Sequence, residues 1–166
     1  MRHVWVDRLN RKVSALGFGC ASLGSRISPR EGRKAVHRAL DVGITWFDVA
    51  PSYGDGQAET LLGRFLGACR KNVVICTKFG ITRPEVPFHK RLARPLVRSM
   101  VKAFPSLRPL ISRAREHGRH VVIAPDRIEA TVADSLKRLG TNYIDVLALH
   151  EPSPSEAAHE ATHATI

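Results

Sequence analysis

The sequence predicts an α/β fold in which helices cover a parallel sheet. Short apolar runs rich in Val, Ile and Phe alternate with longer segments whose apolar residues recur at helical spacing. The apolar runs are nearly continuous, which is typical of strands that are buried on both faces. Strands and helices that alternate in this way indicate strand–helix–strand units, whose strands run parallel.

The first predicted elements are a small hairpin and the strand that follows it. The runs "HVWV" (3–6) and "KVSAL" (12–16) are joined by the polar turn "DRLNR" and lead into "GFGCASLG" (17–24). Apolar runs separated by a short polar turn are typical of two antiparallel strands. We therefore expect an N-terminal hairpin ahead of the parallel sheet.

The first helix is predicted over "SPREGRKAVHRALDVG" (28–43). Ser28 is its expected N-cap, Pro29 its first helical residue and Gly43 its C-terminal stop. The next run, "ITWFDVA" (44–50), is rich in β-branched and aromatic residues and predicts a strand.

The same alternation continues to residue 150. A helix is predicted in "QAETLLGRFLGACR" (57–70), a strand in "VVICT" (73–77), a helix in "PDRIEATVADSLKRLG" (125–140) and a strand in "YIDVLALH" (143–150). In the last helix, Asp126 occupies the first position of a capping-box pattern. With the strand at 44–50, these elements complete the predicted parallel sheet.

Length and composition exclude several classes of protein. At 166 residues the chain suits one domain and is too short for a complete eight-stranded barrel of about 250 residues. It has no apolar run of the roughly 20 residues needed to cross a bilayer, and no signal-peptide pattern, so a cytoplasmic protein is expected. The spacing of Cys20, Cys69 and Cys76 predicts reduced thiols, with neither a zinc site nor a disulfide framework.

Positive charge is concentrated in one segment. Residues 83–119 carry a net +8 of the chain's +11. They lie within a predicted insertion, 81–124, where prolines would limit any helix to short pieces. We interpret the insertion as a mobile lid or a wall of the site entrance that favours anionic ligands, or as a solvated excursion. The last segment, 153–166, lacks large apolar residues before its final Ile and is expected to be a disordered tail.

Four chemically useful residues fall where predicted strands end. Asp48 closes the strand after the first helix, Tyr53 lies in the loop that follows, Lys78 comes directly after "VVICT", and His150 closes "YIDVLALH". Because the carboxyl ends of parallel strands share one edge, we expect these side chains to lie together. The combination suits the reduction of a carbonyl group.

Each of the four has a role in that reaction. Hydride addition to a carbonyl carbon leaves charge on the oxygen, which then needs a proton. A phenol, whose ordinary pKa is about 10, becomes a better proton donor beside an ammonium, so Tyr53 would be the acid and Lys78 its activator. Asp48 would hold the ammonium, and His150 would orient the carbonyl or donate to its oxygen.

Each residue also has a simpler interpretation. Asp48 and Tyr53 could be turn residues beside Pro51. A lone lysine after a strand is usually on the solvated surface, and a lone histidine is more often a hydrogen-bonded core residue than a catalyst. The catalytic interpretation depends on the four residues occurring together.

Four stretches of the sequence resemble the aldo/keto reductase family. They are "VSALGFGCASLG", "GITWFDVAPSYGDGQAETLLGRFL", "VVICTKFG" and "SLKRLGTNYIDVLALHEP", which occur in the family's order and cover most of residues 13–152. The resemblance implies a (β/α)8 TIM barrel that reduces aldehydes and ketones with NADPH. It also implies that the family's catalytic residues correspond to Asp48, Tyr53, Lys78 and His150.

The resemblance further implies where the cofactor would lie. Gly19, Cys20 and Ala21, after the first barrel strand, would approach the nicotinamide ribose together with Asp48. Cys20 stands where the family commonly has Thr. No metal site is implied.

The count of strands leads to a further expectation. The family barrel needs eight strands and residues 1–152 supply a hairpin and about four, so we expect a barrel half without the C-terminal half that grips the cofactor phosphates. Activity is then expected to be impaired. Two alternatives stay open: a non-enzymatic half-barrel that associates through its open sheet edges, and a polyanion-binding protein acting through residues 83–119.

Overall fold

The computed structural model describes two continuous ranges of the chain. These are residues 1–82 and 125–154, with isolated positions between them at 93, 96–97, 99–101, 103–104 and 106. The predicted helical pieces of the basic insertion lie almost wholly outside the described residues. The predicted tail does so from residue 155 onward.

The N-terminal hairpin is confirmed. Strand β1 (His3–Val6) pairs antiparallel with β2 (Arg11–Ser14). Two hydrogen bonds connect the end of β2 to Thr45, the residue before the strand Trp46–Asp48. The Ser14 hydroxyl accepts from the amide of Thr45 (2.9 Å), and the Thr45 hydroxyl accepts from the amide of Ser14 (2.8 Å). The hairpin is thereby joined to the amino-terminal edge of the main sheet.

In the part of the chain that the structure describes, the main sheet has four parallel strands, as the sequence predicts. They are β3 (Gly17–Gly19), β4 (Trp46–Asp48), β5 (Val74–Phe79) and β6 (Val146–Leu149), in the spatial order β3-β4-β5-β6. Each strand is shorter than the apolar run that predicted it, apart from β5. The order follows the chain, so each strand pairs with the next one along the sequence.

Within residues 1–82 and 125–154, four α-helices connect these strands. They are α1 (Pro29–Asp41), α2 (Tyr53–Gly56), α3 (Ala58–Leu66) and α4 (Pro125–Leu139). Among the described residues, no helix is both long and apolar enough to cross a membrane.

The start of α1 follows the predicted signals. The Ser28 hydroxyl accepts a hydrogen bond from the amide of Glu31, and the Glu31 carboxylate accepts one from the amide of Ser28, with Pro29 as the first helical residue. This reciprocal capping box satisfies two amides that the helix itself cannot pair. Gly43, just past the helix, has φ +84°, a backbone conformation that favours glycine.

Three predicted helix boundaries are wrong. The helix predicted over 57–70 ends at Leu66 and is followed by a 3-10 helix, Gly67–Asn72. Tyr53 was expected in a loop but begins the single-turn helix α2. Helix α4 begins at Pro125, so Asp126 lies in its first turn and is not its N-cap. Proline is favoured at the first helical position because its fixed φ suits a helix and its missing N–H would have no partner there.

The core lies between the sheet and helices α1 and α3. Fully buried members include Val36 of α1, Phe47 of β4, Leu62 of α3 and Ile75 of β5. One residue of α4, Leu139, joins the same cluster. The packing of α3 against α4 therefore closes this side of the core.

Gly63 sets the distance between α3 and α4. A Cβ atom at this position would overlap the backbone carbonyl of Leu139, which a small side-chain movement cannot relieve. We expect Gly63→Ala to destabilise the protein by about 1–3 kcal/mol or more, the usual range for an overpacked core. Urea unfolding measures this, and Arg64→Ala on the exposed side of the same helix is the control. Equal stability of the two variants would contradict the close contact.

Candidate functional site

The carboxyl ends of all four parallel strands meet at one edge of the sheet. Gly19 is directly opposite Asp48 in the register of β3 and β4, and Lys78 is opposite Ala148 in that of β5 and β6. His150 follows β6, and its amide donates a hydrogen bond to the carbonyl of Phe79 (2.8 Å). The topology therefore brings the strand-end residues that the sequence predicts to a single edge.

Lys78 and Asp48 form the closest contact of this site. The Nζ atom of Lys78 lies 2.6 Å from Oδ1 of Asp48 and also donates to the carbonyl oxygen of Val49 at 3.2 Å. The Lys78 side chain is 14% exposed and that of Asp48 is 36% exposed. The pair thus lies at the boundary between the core and solvent, with its ammonium held in place.

The ammonium of Lys78 is stabilised in its charged form. Burial is the largest influence and acts to lower the pKa of Lys78, but the interactions with Asp48, and then with Tyr53, together raise it by more. The net result is a pKa above the ordinary value of 10.5. Lys78 therefore carries its charge throughout the physiological pH range.

Tyr53 lies against this ammonium. The Nζ atom of Lys78 is 4.6 Å from the centroid of the Tyr53 ring, a distance at which the cation and the ring attract each other. On its other side, the Tyr53 ring meets the His150 ring edge to face, with centroids 5.5 Å apart and planes at 88°. Asp48, Lys78, Tyr53 and His150 therefore form one continuous chain of contacts.

The turn that presents Tyr53 depends on the glycine after it. Gly54 has φ +62°, and a Cβ atom there would overlap the carbonyl group of Leu23. The amide of Tyr53 donates to the carbonyl of Ala50 (3.1 Å), which closes the turn on its other side. The backbone after Tyr53 therefore packs closely on the loop after β3, where only glycine fits.

Gly19 and Ala21 are exposed at the same edge, and a Cβ atom at Gly19 would meet nothing within 4 Å. Cys20 differs from them, because it is fully buried in the core cluster. Burial, and then the negative charge of Asp48, raise the pKa of its thiol, while Lys78 acts to lower it. The predicted contact of Cys20 with a ligand is inconsistent with this burial. Its amide instead donates to the carbonyl oxygen of Asp48 at 2.8 Å.

The structure adds a buried ion pair that the sequence analysis missed. Glu59 of α3, only 2% exposed, accepts hydrogen bonds from the hydroxyl of Thr77 and from Nε of Arg138, both at 2.7 Å. Arg138 also donates to the hydroxyl of Ser135, which is 1% exposed (3.1 Å). Loss of one partner of such a buried pair typically costs about 3–5 kcal/mol. An acid inside the apolar pattern "AETLL" was the signal that could have revealed it.

The described residues at this edge offer proton donors and cations but no evident metal site. Across the two described ranges and the positions between them, no three His, Cys, Asp or Glu side chains are grouped so as to hold a metal ion. A phenol placed between an ammonium and an imidazole can supply a proton to an oxygen that gains negative charge. The arrangement therefore suits acid catalysis at an electron-rich oxygen.

Comparison with known proteins gives a consistent match. Residues 15–165 match the aldo/keto reductase family. The chain is 32% identical, over 99% of its length, to a probable voltage-gated potassium channel subunit beta of Arabidopsis thaliana, and 33% identical, over 84% of its length, to a D-threo-aldose 1-dehydrogenase of Pseudomonas sp. It covers 42% and 40% of those two proteins, about two-fifths of their length.

A solved structure gives the same result. The aldo-keto reductase of Bacillus halodurans in its holo form aligns with 99% of the chain at a TM-score of 0.68 and 27% identity, and the chain covers 46% of it. The parallel sheet with its covering helices thus has the arrangement found in an aldo-keto reductase. With the match over residues 15–165, this similarity establishes that the chain belongs to the aldo/keto reductase family.

Proposed function

We propose that this chain supplies the chemical centre for the NADPH-dependent reduction of an aldehyde or ketone. The observation that carries the proposal is the contact of one ammonium with both neighbours: Lys78 lies 2.6 Å from the carboxylate of Asp48 and 4.6 Å from the ring of Tyr53. A lysine whose side chain extends into solvent would make neither of these contacts. The proposal includes the cytoplasmic location expected from the sequence.

Tyr53 is the proton donor in this proposal. Its hydroxyl gives a proton to the carbonyl oxygen as negative charge develops there. The Lys78 ammonium favours loss of that proton, because a positive charge nearby stabilises the phenolate that remains. Asp48 keeps the ammonium charged and in position.

His150 has the supporting role of orienting the substrate. It packs edge to face on Tyr53 and lies at the end of β6, beside the position where a carbonyl oxygen would meet the phenol. An imidazole there can donate a hydrogen bond to the same oxygen. The substrate carbonyl would then be held by two donors.

The described residues fit the nicotinamide end of the cofactor. Gly19 and Ala21 are exposed at the edge where Asp48 and Lys78 lie, and a Cβ atom added at Gly19 would meet none of the described atoms within 4 Å. NADPH supplies a hydride to the carbonyl carbon when it is bound. We assign the cofactor contacts to Gly19, Ala21 and Asp48, and assign Cys20 the indirect role of fixing the Asp48 backbone through its amide.

The proposal is tested in a chimera, because the chain matches only part of its relatives. Residues 1–152 replace the matching segment of the Pseudomonas dehydrogenase, and NADPH oxidation is followed with a panel of aldehydes and ketones. We expect carbonyl-dependent oxidation, with Lys78→Met at least about 10-fold slower because the phenol has lost its cation. A fully active Lys78→Met chimera would exclude the proposed centre. Parallel assays with NADH show which cofactor the grafted C-terminal half accepts.

A further inference from the structure

The Glu59 ion pair lies directly behind the site. Thr77 and Lys78 are neighbours in β5, and successive residues of a strand point to opposite faces. The Thr77 hydroxyl meets Glu59 on the helix-covered face, while the Lys78 ammonium meets Asp48 and Tyr53 on the other. One peptide unit therefore separates Thr77, which is bonded to the buried ion pair, from Lys78 of the site.

Glu59 is also close to Tyr53 along the chain. Tyr53 begins α2, and Gln57 is both the C-cap of α2 and the N-cap of α3, so no flexible loop lies between Tyr53 and Glu59. The 2.7 Å hydrogen bond from Thr77 to Glu59 thus joins the segment that carries Tyr53 to the strand that carries Lys78. The bond is therefore one of the contacts that link these two side chains.

Arg138 fixes Glu59 itself. Its Nε atom donates to Oε2 of Glu59 at 2.7 Å, leaving Oε1 directed at Thr77. The Arg138 side chain is in turn held by Ser135, one helical turn earlier in α4. Both carboxylate oxygens of Glu59 therefore have fixed donors, and a buried carboxylate with both oxygens bonded has little freedom to move.

We propose that Glu59 is a positioning residue that sets the distance between Tyr53 and Lys78, acting through Thr77 and held by Arg138. The inference rests on the proposed function, since this distance matters to chemistry only if Tyr53 and Lys78 act together. It gives the buried charge of Glu59 a role beyond packing α3 against α4.

The test uses the 166-residue chain and NMR, without cofactor or turnover. The nuclear Overhauser contact between the Lys78 side chain and the Tyr53 ring is measured in protein with ¹³C-labelled lysine, in which the Lys78 signal is assigned by its loss in Lys78→Arg. Thr77→Val removes the hydroxyl with little change of shape and leaves the Glu59–Arg138 pair. Thr131→Val is the matched control, because the Thr131 hydroxyl donates within α4, to the carbonyl of Arg127.

We expect Thr77→Val to lose the Lys78–Tyr53 contact and to shift the Lys78 titration midpoint downward, while Thr131→Val changes neither. Thr77→Ser, which keeps the hydroxyl, should restore both. If Thr77→Val does not fold, Thr77→Ala carries the test, since it also removes the hydroxyl that donates to Glu59. Persistence of the contact in folded Thr77→Val or Thr77→Ala protein would overturn the inference. The proposed function would stand, because its own test is turnover of the chimera.

Discussion

Replacing Tyr53 with Phe in the chimera is expected to reduce turnover about 100-fold or more, the usual scale for removing a general acid. Phe keeps the ring that packs on Lys78 and His150, so the geometry of the site should survive. What disappears is the hydroxyl that would protonate the carbonyl oxygen. Cofactor affinity should hardly change, because the proposed cofactor contacts lie at Gly19, Ala21 and Asp48.

The chain offers a matched control for this substitution. Its only other tyrosine, Tyr143, is 40% exposed and stacks against Arg70, 3.9 Å from the ring centroid. Tyr143→Phe therefore removes a hydroxyl of the same kind away from the site. Steady-state rates for the two variants separate the loss of a proton donor from a general effect of the substitution. Equal rates would remove Tyr53 from its proposed role.

The sequence predicted the parts of the fold that local signals determine. Ser28, Pro29 and Gly43 mark the ends of α1 because capping and backbone freedom act within a few residues. The parallel sheet followed from apolar runs that need burial on both faces, of which β5 is the clearest example. These signals require no knowledge of distant contacts.

The site could be predicted only as a set of strand-end residues. That Lys78 contacts both Asp48 and Tyr53 depends on the register of β4 and β5 and on the turn at Gly54, which local patterns do not give. The burial of the Cys20 side chain could not be predicted, because its neighbours Gly19 and Ala21 are exposed while the backbone turns Cys20 into the core.

The buried pair was missed for a related reason. Glu59 lies among the apolar residues of α3, which indicates a buried acid, but its partner Arg138 is 79 residues away. Only the packing of α3 on α4, which Gly63 allows, brings the two charges together. A charge at a buried helical position indicates that a partner is needed, without identifying the partner.

A second large effect is expected for the 166-residue chain by itself: no saturable NADPH binding at micromolar concentration and no carbonyl-dependent NADPH oxidation. Of the four proposed catalytic residues only Lys78 is permanently cationic, and its ammonium is already bonded to Asp48 and to the carbonyl of Val49, so little of its charge is left for a cofactor phosphate. The contacts assigned to the nicotinamide end come from exposed backbone at Gly19 and Ala21, which gives little affinity alone.

The state of β6 supports the same expectation. Its four residues, Val146–Leu149, are apolar yet only half-buried in the described structure, and among the described strands β6 pairs with β5 alone. An apolar strand with an open edge favours association with other chains, so a purified chain is expected to self-associate. Light scattering across a concentration series measures this, and a monodisperse monomer would contradict it.

We expect turnover to be lost because the hydride donor is no longer held in a fixed orientation, even though the contacts among the four proposed catalytic residues persist. Holding a hydride donor in line with a carbonyl can account for about 7–11 kcal/mol of a reaction barrier. The general acid contributes roughly 100-fold in rate, which corresponds to only about 2.7 kcal/mol. A chain that keeps the proton donor Tyr53 but cannot hold the hydride donor NADPH therefore loses the greater part of the rate acceleration. Fluorescence titration and an NADPH oxidation assay, run beside the chimera, measure both steps. Tight one-to-one binding, or steady turnover that disappears in Tyr53→Phe, would instead mean that residues 1–166 assemble a working site on their own.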